Sequence, residues 1–133
     1  MPRKPTRKTL VAKADKVFSE FIRRRYANHK GEAECYTCGV VKHWKELQCG
    51  HFQSRKHYAT RWNETNCQVQ CSGCNVFRYG EQFRFGRNLD IEFGNGTAEG
   101  LYRLSSQVIK YSNYELEDMI KHYTQKLAQL EKN

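Results

Sequence analysis

Two cysteine pairs of the same spacing, Cys35 and Cys38 in ECYTCG and Cys71 and Cys74 in QCSGC, stand on either side of residues 39–70. Two such pairs can close a tetrahedral thiolate site around zinc, whose preferred ligands and geometry they match. Cys49 and Cys67 remain over and are read as small apolar core residues. Between the pairs lie His51, in QCGHFQSR, and Asn66, in RWNETNCQVQC, and Asn75 directly follows Cys74. A histidine ending one strand, an asparagine on the returning strand and a polar residue opening the next helix would converge on one crevice. That set suits metal-assisted phosphodiester hydrolysis. His51, with an unperturbed pKa near ~6.5, can take a proton from water at neutral pH. The amide oxygen of Asn75 and a carboxylate can hold a hard cation, Mg2+ or Mn2+, against the charge that builds on the phosphate.

The elements that must position these residues are legible from periodicity. A basic arm, residues 1–8 with Arg3, Lys4, Arg7 and Lys8, precedes a helix from Thr9, on which Leu10, Ala14, Val17 and Phe21 form a stripe flanked by Phe18, Ile22 and Tyr26. The run Arg23 to Arg25 at its end reads either as a solvated face or as a phosphate contact. A short strand is expected over Glu46 to Gly50. In NCQVQC the alternation of Asn66, Gln68 and Gln70 with Cys67, Val69 and Cys71 predicts a half-buried strand. The second knuckle opens a helix from Cys74 to Phe93, stopped by GNG at 94–96. Thr97 is placed to cap a further helix to about Val108, and Ser112 with Glu115 forms a capping box for the last one. There, Leu116, Ile120, Tyr123, Leu127 and Leu130 make a seam that can dock on the N-terminal helix or on a second copy of the chain. The expectation is one α+β domain over residues 9–133, a zinc-stapled core at 32–94 with a helical extension at 97–133.

Lys and Arg number 23 against 14 Asp and Glu, a formal charge of +9 that points to a polyanionic partner, nucleic acid first. Arg55, Lys56, Arg61 and Arg78 flank the constellation and are the expected DNA contacts, with Tyr58, Trp62, Phe77, Tyr79 and Phe83 among them. Phe77 and neighbours of Phe83 fall on a helical stripe and are expected in the core. The sequence has no apolar run near the length of a membrane span and no signal-peptide pattern, and a cytoplasmic, non-membrane protein is expected.

Taken together, these residues resemble the HNH, or His-Me finger, nucleases, in which a ββα fold is stapled by zinc knuckles and a histidine activates water beside one divalent cation. Asn66 ahead of Cys71 and Asn75 behind Cys74 match the positions of that family's later motif residues, and asparagine in the last place is similar to the recombination endonuclease VII branch. More closely, QCGHFQSR, RWNETNCQVQC and CNVFRYGEQFRF, followed by a helical tail, resemble the phage NinG/Rap recombination proteins, over most of the chain from about Lys30. The resemblance implies a structure-selective endonuclease acting on branched recombination intermediates such as four-way junctions and D-loops, in the bacterial host cell, alongside recombination proteins. The rival reading is a non-catalytic zinc module that binds DNA as a recombination accessory. One position departs from the nuclease pattern: many of these enzymes carry an aspartate directly before the histidine, where this chain has Gly50. Glu64 is then the first choice for the metal carboxylate and Glu46 the second, while Asn66 is expected to brace the His51 loop.

Overall fold

The computed structural model describes residues 4–132, so Arg3 of the expected arm lies outside the described residues. Helix α1 (Arg7–Arg24) starts earlier than expected because Thr6 caps it, its hydroxyl accepting from the Thr9 N–H. A cap of this kind satisfies a first-turn donor that has no partner within the helix, and here it draws Arg7 and Lys8 out of the arm. Leu10, Ala14, Phe18, Phe21 and Ile22 form the buried stripe, whereas Tyr26 is exposed.

Two antiparallel strand pairs follow. In the first, β1 (Glu32–Glu34) and β2 (Val41–His43) flank the first cysteine knuckle. Trp44–Glu46 then coil into a short helical turn capped by the His43 side chain, which delays the next strand to β3 (Gln48–His51). A short helix, α2 (Tyr58–Arg61), leads to its partner, β4 (Cys67–Gln70), which sets His51 opposite Cys67 and Cys49 opposite Val69. Facing residues of an antiparallel pair project to the same side, so these four share one face of the ladder.

The half-buried pattern expected for β4 is corrected by the structure: all four of its residues are buried. Burying amide side chains is costly unless they are hydrogen-bonded, and all their polar atoms are except the Gln70 oxygen, which has no partner among the described residues. Gln68 accepts from Arg25 and donates to the Thr65 carbonyl, each at 3.0 Å, and Gln70 donates to the Thr37 hydroxyl and the Gly80 carbonyl at the same distance. Gln70 also explains Gly50. A Cβ at position 50 would collide with the Gln70 side chain, so the buried amide and an aspartate at that place are mutually exclusive.

The single helix expected over 74–93 is two pieces, a wide helical turn (Gly73–Phe77) and α3 (Gln82–Phe93). Between them Tyr79, Gly80 and Glu81 take φ angles of 54°, 86° and 48°, a left-handed stretch that non-glycine residues disfavour. The Gly80 N–H donating to the Cys74 carbonyl at 2.7 Å and the Arg78–Glu81 ion pair at 3.0 Å hold it. This break changes the helical phase: Phe77, expected in the core, is exposed, as is Phe83, while Phe85, a neighbour of Phe83, is buried as expected, together with Leu89 and against Leu101, with Tyr36 and Phe52 beside them.

α4 (Thr97–Ser105) ends short of Val108, and its entry residue is Gly96, with the Thr97 hydroxyl donating back to the Gly94 carbonyl at 2.7 Å. α5 (Asn113–Glu131) opens with the complete Ser112–Glu115 capping box. Its apolar seam docks on α1 of the same chain, where Tyr123 packs edge-on against Phe18 with ring centroids 5.0 Å apart. The whole is a small mixed fold of short strand pairs and helices. Among the described residues no helix is long and apolar enough to cross a membrane.

Candidate functional site

The two knuckles bring Cys35, Cys38, Cys71 and Cys74 together, with their sulfurs all within 4.8 Å of one another. Backbone amides already aim at this cluster: the Cys71 N–H donates to the Cys35 sulfur at 3.3 Å and the Cys74 N–H to the Cys71 sulfur at 3.4 Å. The Arg78 guanidinium donates to the Cys74 sulfur at 3.1 Å. Burial works against a charge on Cys35, but the Cys71 N–H and the Thr37 hydroxyl outweigh it and lower its thiol to about 6. Donors gathered around sulfur are what a thiolate set requires, so the cluster fits zinc.

A separate cavity of about 540 Å³ opens between α1 and β3, and His51 and Asn75 both line it, with Asp15, Arg23, Gln48 and Arg55. The His51 Nε2 lies 2.9 Å from the Arg61 carbonyl, which can only accept, so Nε2 carries the proton and Nδ1 the lone pair. Burial lowers the His51 pKa and the Arg55 charge adds to the effect, against the opposing pull of the Arg61 carbonyl and Asp15. Burial thus favours the neutral imidazole. Asn75 donates its amide to Gln48 Oε1 at 2.7 Å, which leaves its own amide oxygen uncommitted.

The other expected site residues sit elsewhere. Asn66 is fully buried outside the cavity, where its side chain accepts from the Gln53 N–H at 2.7 Å and donates to the carbonyls of Gln53 and Thr60 at 3.1 and 3.0 Å. It ties the segment after His51 to the segment before β4. Glu64, expected as the metal carboxylate, faces α5 instead: it accepts from the Tyr123 hydroxyl at 2.8 Å and from Lys126 at 3.2 Å. Burial opposes its charge, but these two donors and Arg25 outweigh that and hold its carboxyl below the usual range. Glu46 is exposed and away from the cavity lining.

Two of the four expected DNA contacts are committed within the chain. Arg61 forms a two-pronged pair with Asp15, and Arg78 is divided between Cys74 and Glu81. Arg55 keeps 62% of its side chain exposed on the cavity rim, and Lys56 next to it is exposed as well. Of the Arg23–Arg25 run, Arg24 pairs with Glu20, Arg25 holds the carbonyls of Glu64 and Cys67, and Arg23 alone lines the cavity.

A family model described as bacteriophage lambda NinG protein matches residues 3–133. The chain belongs to the NinG family. No curated protein and no solved structure gives a match to it.

For this NinG-family chain the two kinds of metal fare differently. The four-cysteine cluster could hold zinc, as its sulfur donors and N–H contacts indicate. A hard cation such as Mg2+ or Mn2+ calls for carboxylate or other oxygen ligands, and the cavity offers it chiefly the Asn75 amide oxygen. The lining carboxylate, Asp15, is taken up on both oxygens by Arg61 and Trp62. The residues present do not by themselves make a hard-cation site. Sequence reasoning missed Asp15 and Gln48, and could not single out Arg23 from the Arg23–Arg25 run, because no local spacing joins α1 to the β3 and Asn75 region; only long-range packing does.

Proposed function

We propose that this NinG-family protein is a structure-selective DNA endonuclease that hydrolyses backbone phosphodiesters in branched recombination intermediates, with His51 as general base. The observation that carries this reading is the placement of His51: held at Nε2 by the Arg61 carbonyl and on the wall of a cavity also lined by Arg23 and Arg55, where burial favours the neutral ring. A neutral imidazole with its second nitrogen anchored can accept a proton from water at the other. Guanidinium groups lining the same cavity suit the charge that develops on a phosphoryl group under attack.

The roles follow from the chain's own residues. His51 Nδ1 takes the proton of the attacking water, and Nε2 stays bound to the Arg61 carbonyl, which also stabilises the imidazolium as it forms. Arg23 and Arg55 bind the scissile phosphate. Asn75, held by Gln48, offers its amide oxygen at the cavity wall, and Asn66 keeps the loop after His51 in register. The β3–β4 pair followed by the helical turn at Gly73–Phe77 and braced by the cysteine cluster is in keeping with a ββα, HNH-like core. Exposed Phe77, Tyr79 and Phe83 lie among Arg78, Arg84 and Arg87 on the outer surface, and aromatic faces beside cations suit unstacked bases at a junction.

The test is incubation of the full chain with four-way-junction, duplex and single-stranded DNA, with and without Mg2+ or Mn2+. Junction cleavage that His51→Ala abolishes while folding and DNA affinity persist supports the enzyme. The scarcity of free carboxylates around the cavity favours one alternative, a non-catalytic zinc module that binds recombination intermediates. Junction binding with no strand scission under any of these ions would establish that alternative instead.

A further inference from the structure

The same face of the β3–β4 ladder that carries His51 also carries Cys49, two residues before it, and Cys67, directly across from it. One ligand atom from each of Cys49, His51 and Cys67 lies within 4.8 Å of the other two. The Cys67 thiol sits 3.5 Å from the Arg61 carbonyl, the same oxygen that holds the His51 ring. Cys67 is fully buried, so it forms the floor of this group, while Cys49 and His51 line the cavity and open it to solvent.

We propose that Cys49, His51 and Cys67 form a second metal site, distinct from the four-cysteine cluster, which takes a thiophilic divalent cation, Zn2+ or Cd2+, through the cavity. Two thiolates and one imidazole are ligands that select such ions over Mg2+. Three protein ligands with a fourth position facing open space is the arrangement of an accessible zinc site rather than of a closed structural one. The cavity supplies both the entry path and room for a water in the fourth position. Binding releases the protons of the two thiols to solvent and leaves the ion's charge balanced by two thiolates.

Occupation has a chemical consequence. If Nδ1 binds the ion, the lone pair that would accept a proton is gone; if Nε2 binds it, the Arg61 anchor is lost. Either way an ion at this site and general-base action by His51 exclude one another. This consequence rests on the nuclease reading, whereas the binding itself does not.

The test counts metal. The full-length chain, isolated with its tight zinc, is equilibrated by dialysis against micromolar Cd2+ in excess Mg2+, and total zinc plus cadmium per chain is measured by elemental analysis. Exchange at the four-cysteine cluster leaves that total unchanged. Wild type is expected to gain one ion per chain, with stronger thiolate-to-cadmium absorption in the ultraviolet. Cys49→Ser and Cys67→Ala should each lose that gain. Should Cys67→Ala fail to fold, half-buried Cys49→Ser still carries the comparison. No gain in wild type, or a gain that survives in the folded cysteine variants, overturns the site. Neither outcome depends on DNA cleavage, so the site and the nuclease reading can fail separately.

Discussion

Asp15, on the first helix, grips the Arg61 guanidinium with both carboxylate oxygens, at 3.0 and 2.6 Å, and the carbonyl of that same arginine holds the His51 ring. Asp15 Oδ1 also accepts from the Trp62 indole at 3.0 Å. One carboxylate on α1 therefore fastens the end of α2 (Tyr58–Arg61), and through it the orientation of the imidazole.

Removing one partner of such a pair leaves the other charge uncompensated, at ~3–5 kcal/mol when fully buried. Because both side chains are partly solvated, Asp15→Asn is expected to cost about 2 kcal/mol in urea unfolding. Arg61→Lys keeps the charge but loses the fork, and about 1 kcal/mol is expected. Both variants indistinguishable from wild type would mean that the clamp does not hold α2.

The proposed nuclease reading gives the pH dependence of cleavage a definite sign. That reading requires neutral His51, whose pKa burial and Arg55 lower, so the acid limb should have its midpoint below the ordinary value of ~6.5 and fall about tenfold per pH unit beneath it. Arg55→Gln, which removes a cation that lowers this pKa, should move the midpoint up; Asp15→Asn, which removes an anion that raises it, should move it down. Linkage gives the matching stability effect. A histidine whose folded pKa is lowered stabilises the fold above its unfolded pKa, and that contribution is lost as pH falls. A midpoint unmoved in both variants would take His51 out of the rate-limiting proton transfer.

Spacing made the cysteine cluster legible in the sequence, because CxxC knuckles are local motifs whose geometry needs only a turn. Periodicity made α1 and α5 legible, and the seam of α5 could be read before its partner was known. What stayed hidden was set by contacts distant in sequence. Nothing near Asp15 signals that it faces Arg61, and nothing near Glu64 signals that Tyr123 and Lys126 claim it. The left-handed stretch at Tyr79–Glu81 was hidden for a related reason: non-glycine residues are held there by the Gly80–Cys74 bond and the Arg78–Glu81 pair, against their own preference. β4 misled in the opposite way, since its Gln68 and Gln70 amides are buried on Arg25, Thr37 and the carbonyls of Thr65 and Gly80, partners that no period-two pattern can specify.

DNA affinity should separate the two arginines that sequence alone treated alike. Arg55 is largely exposed on the cavity rim, so Arg55→Ala should weaken junction binding uniformly across sequences and lower the slope of log affinity against log salt by about 1. Arg61 is half-buried and paired with Asp15, so Arg61→Ala should lower stability first, with little change in the salt slope of the folded fraction. Fluorescence anisotropy at several salt concentrations reads both. Equal slope changes for the two would place Arg61 on the DNA after all.

The four-cysteine cluster gives the last prediction, and the composition of its surroundings sets the magnitude. The buried group around it consists of Ala33, Cys35, Leu47, Val69, Cys71 and Cys74, half of it ligands, so without metal this part of the chain has little apolar area to hold it. The larger core, where α5 packs on α1, does not include these residues. Cys38 is exposed, and Cys38→Ser removes a ligand without opening a cavity. The variant should lose the tightly held zinc and melt roughly 10 °C or more below wild type. Its far-ultraviolet helical signal at room temperature should stay close to wild type, because α1 and α5 support each other independently. Retention of zinc with an unchanged melting temperature would remove Cys38 from the site, and simultaneous loss of all helical signal would show that the metal supports the whole fold rather than the knuckles alone.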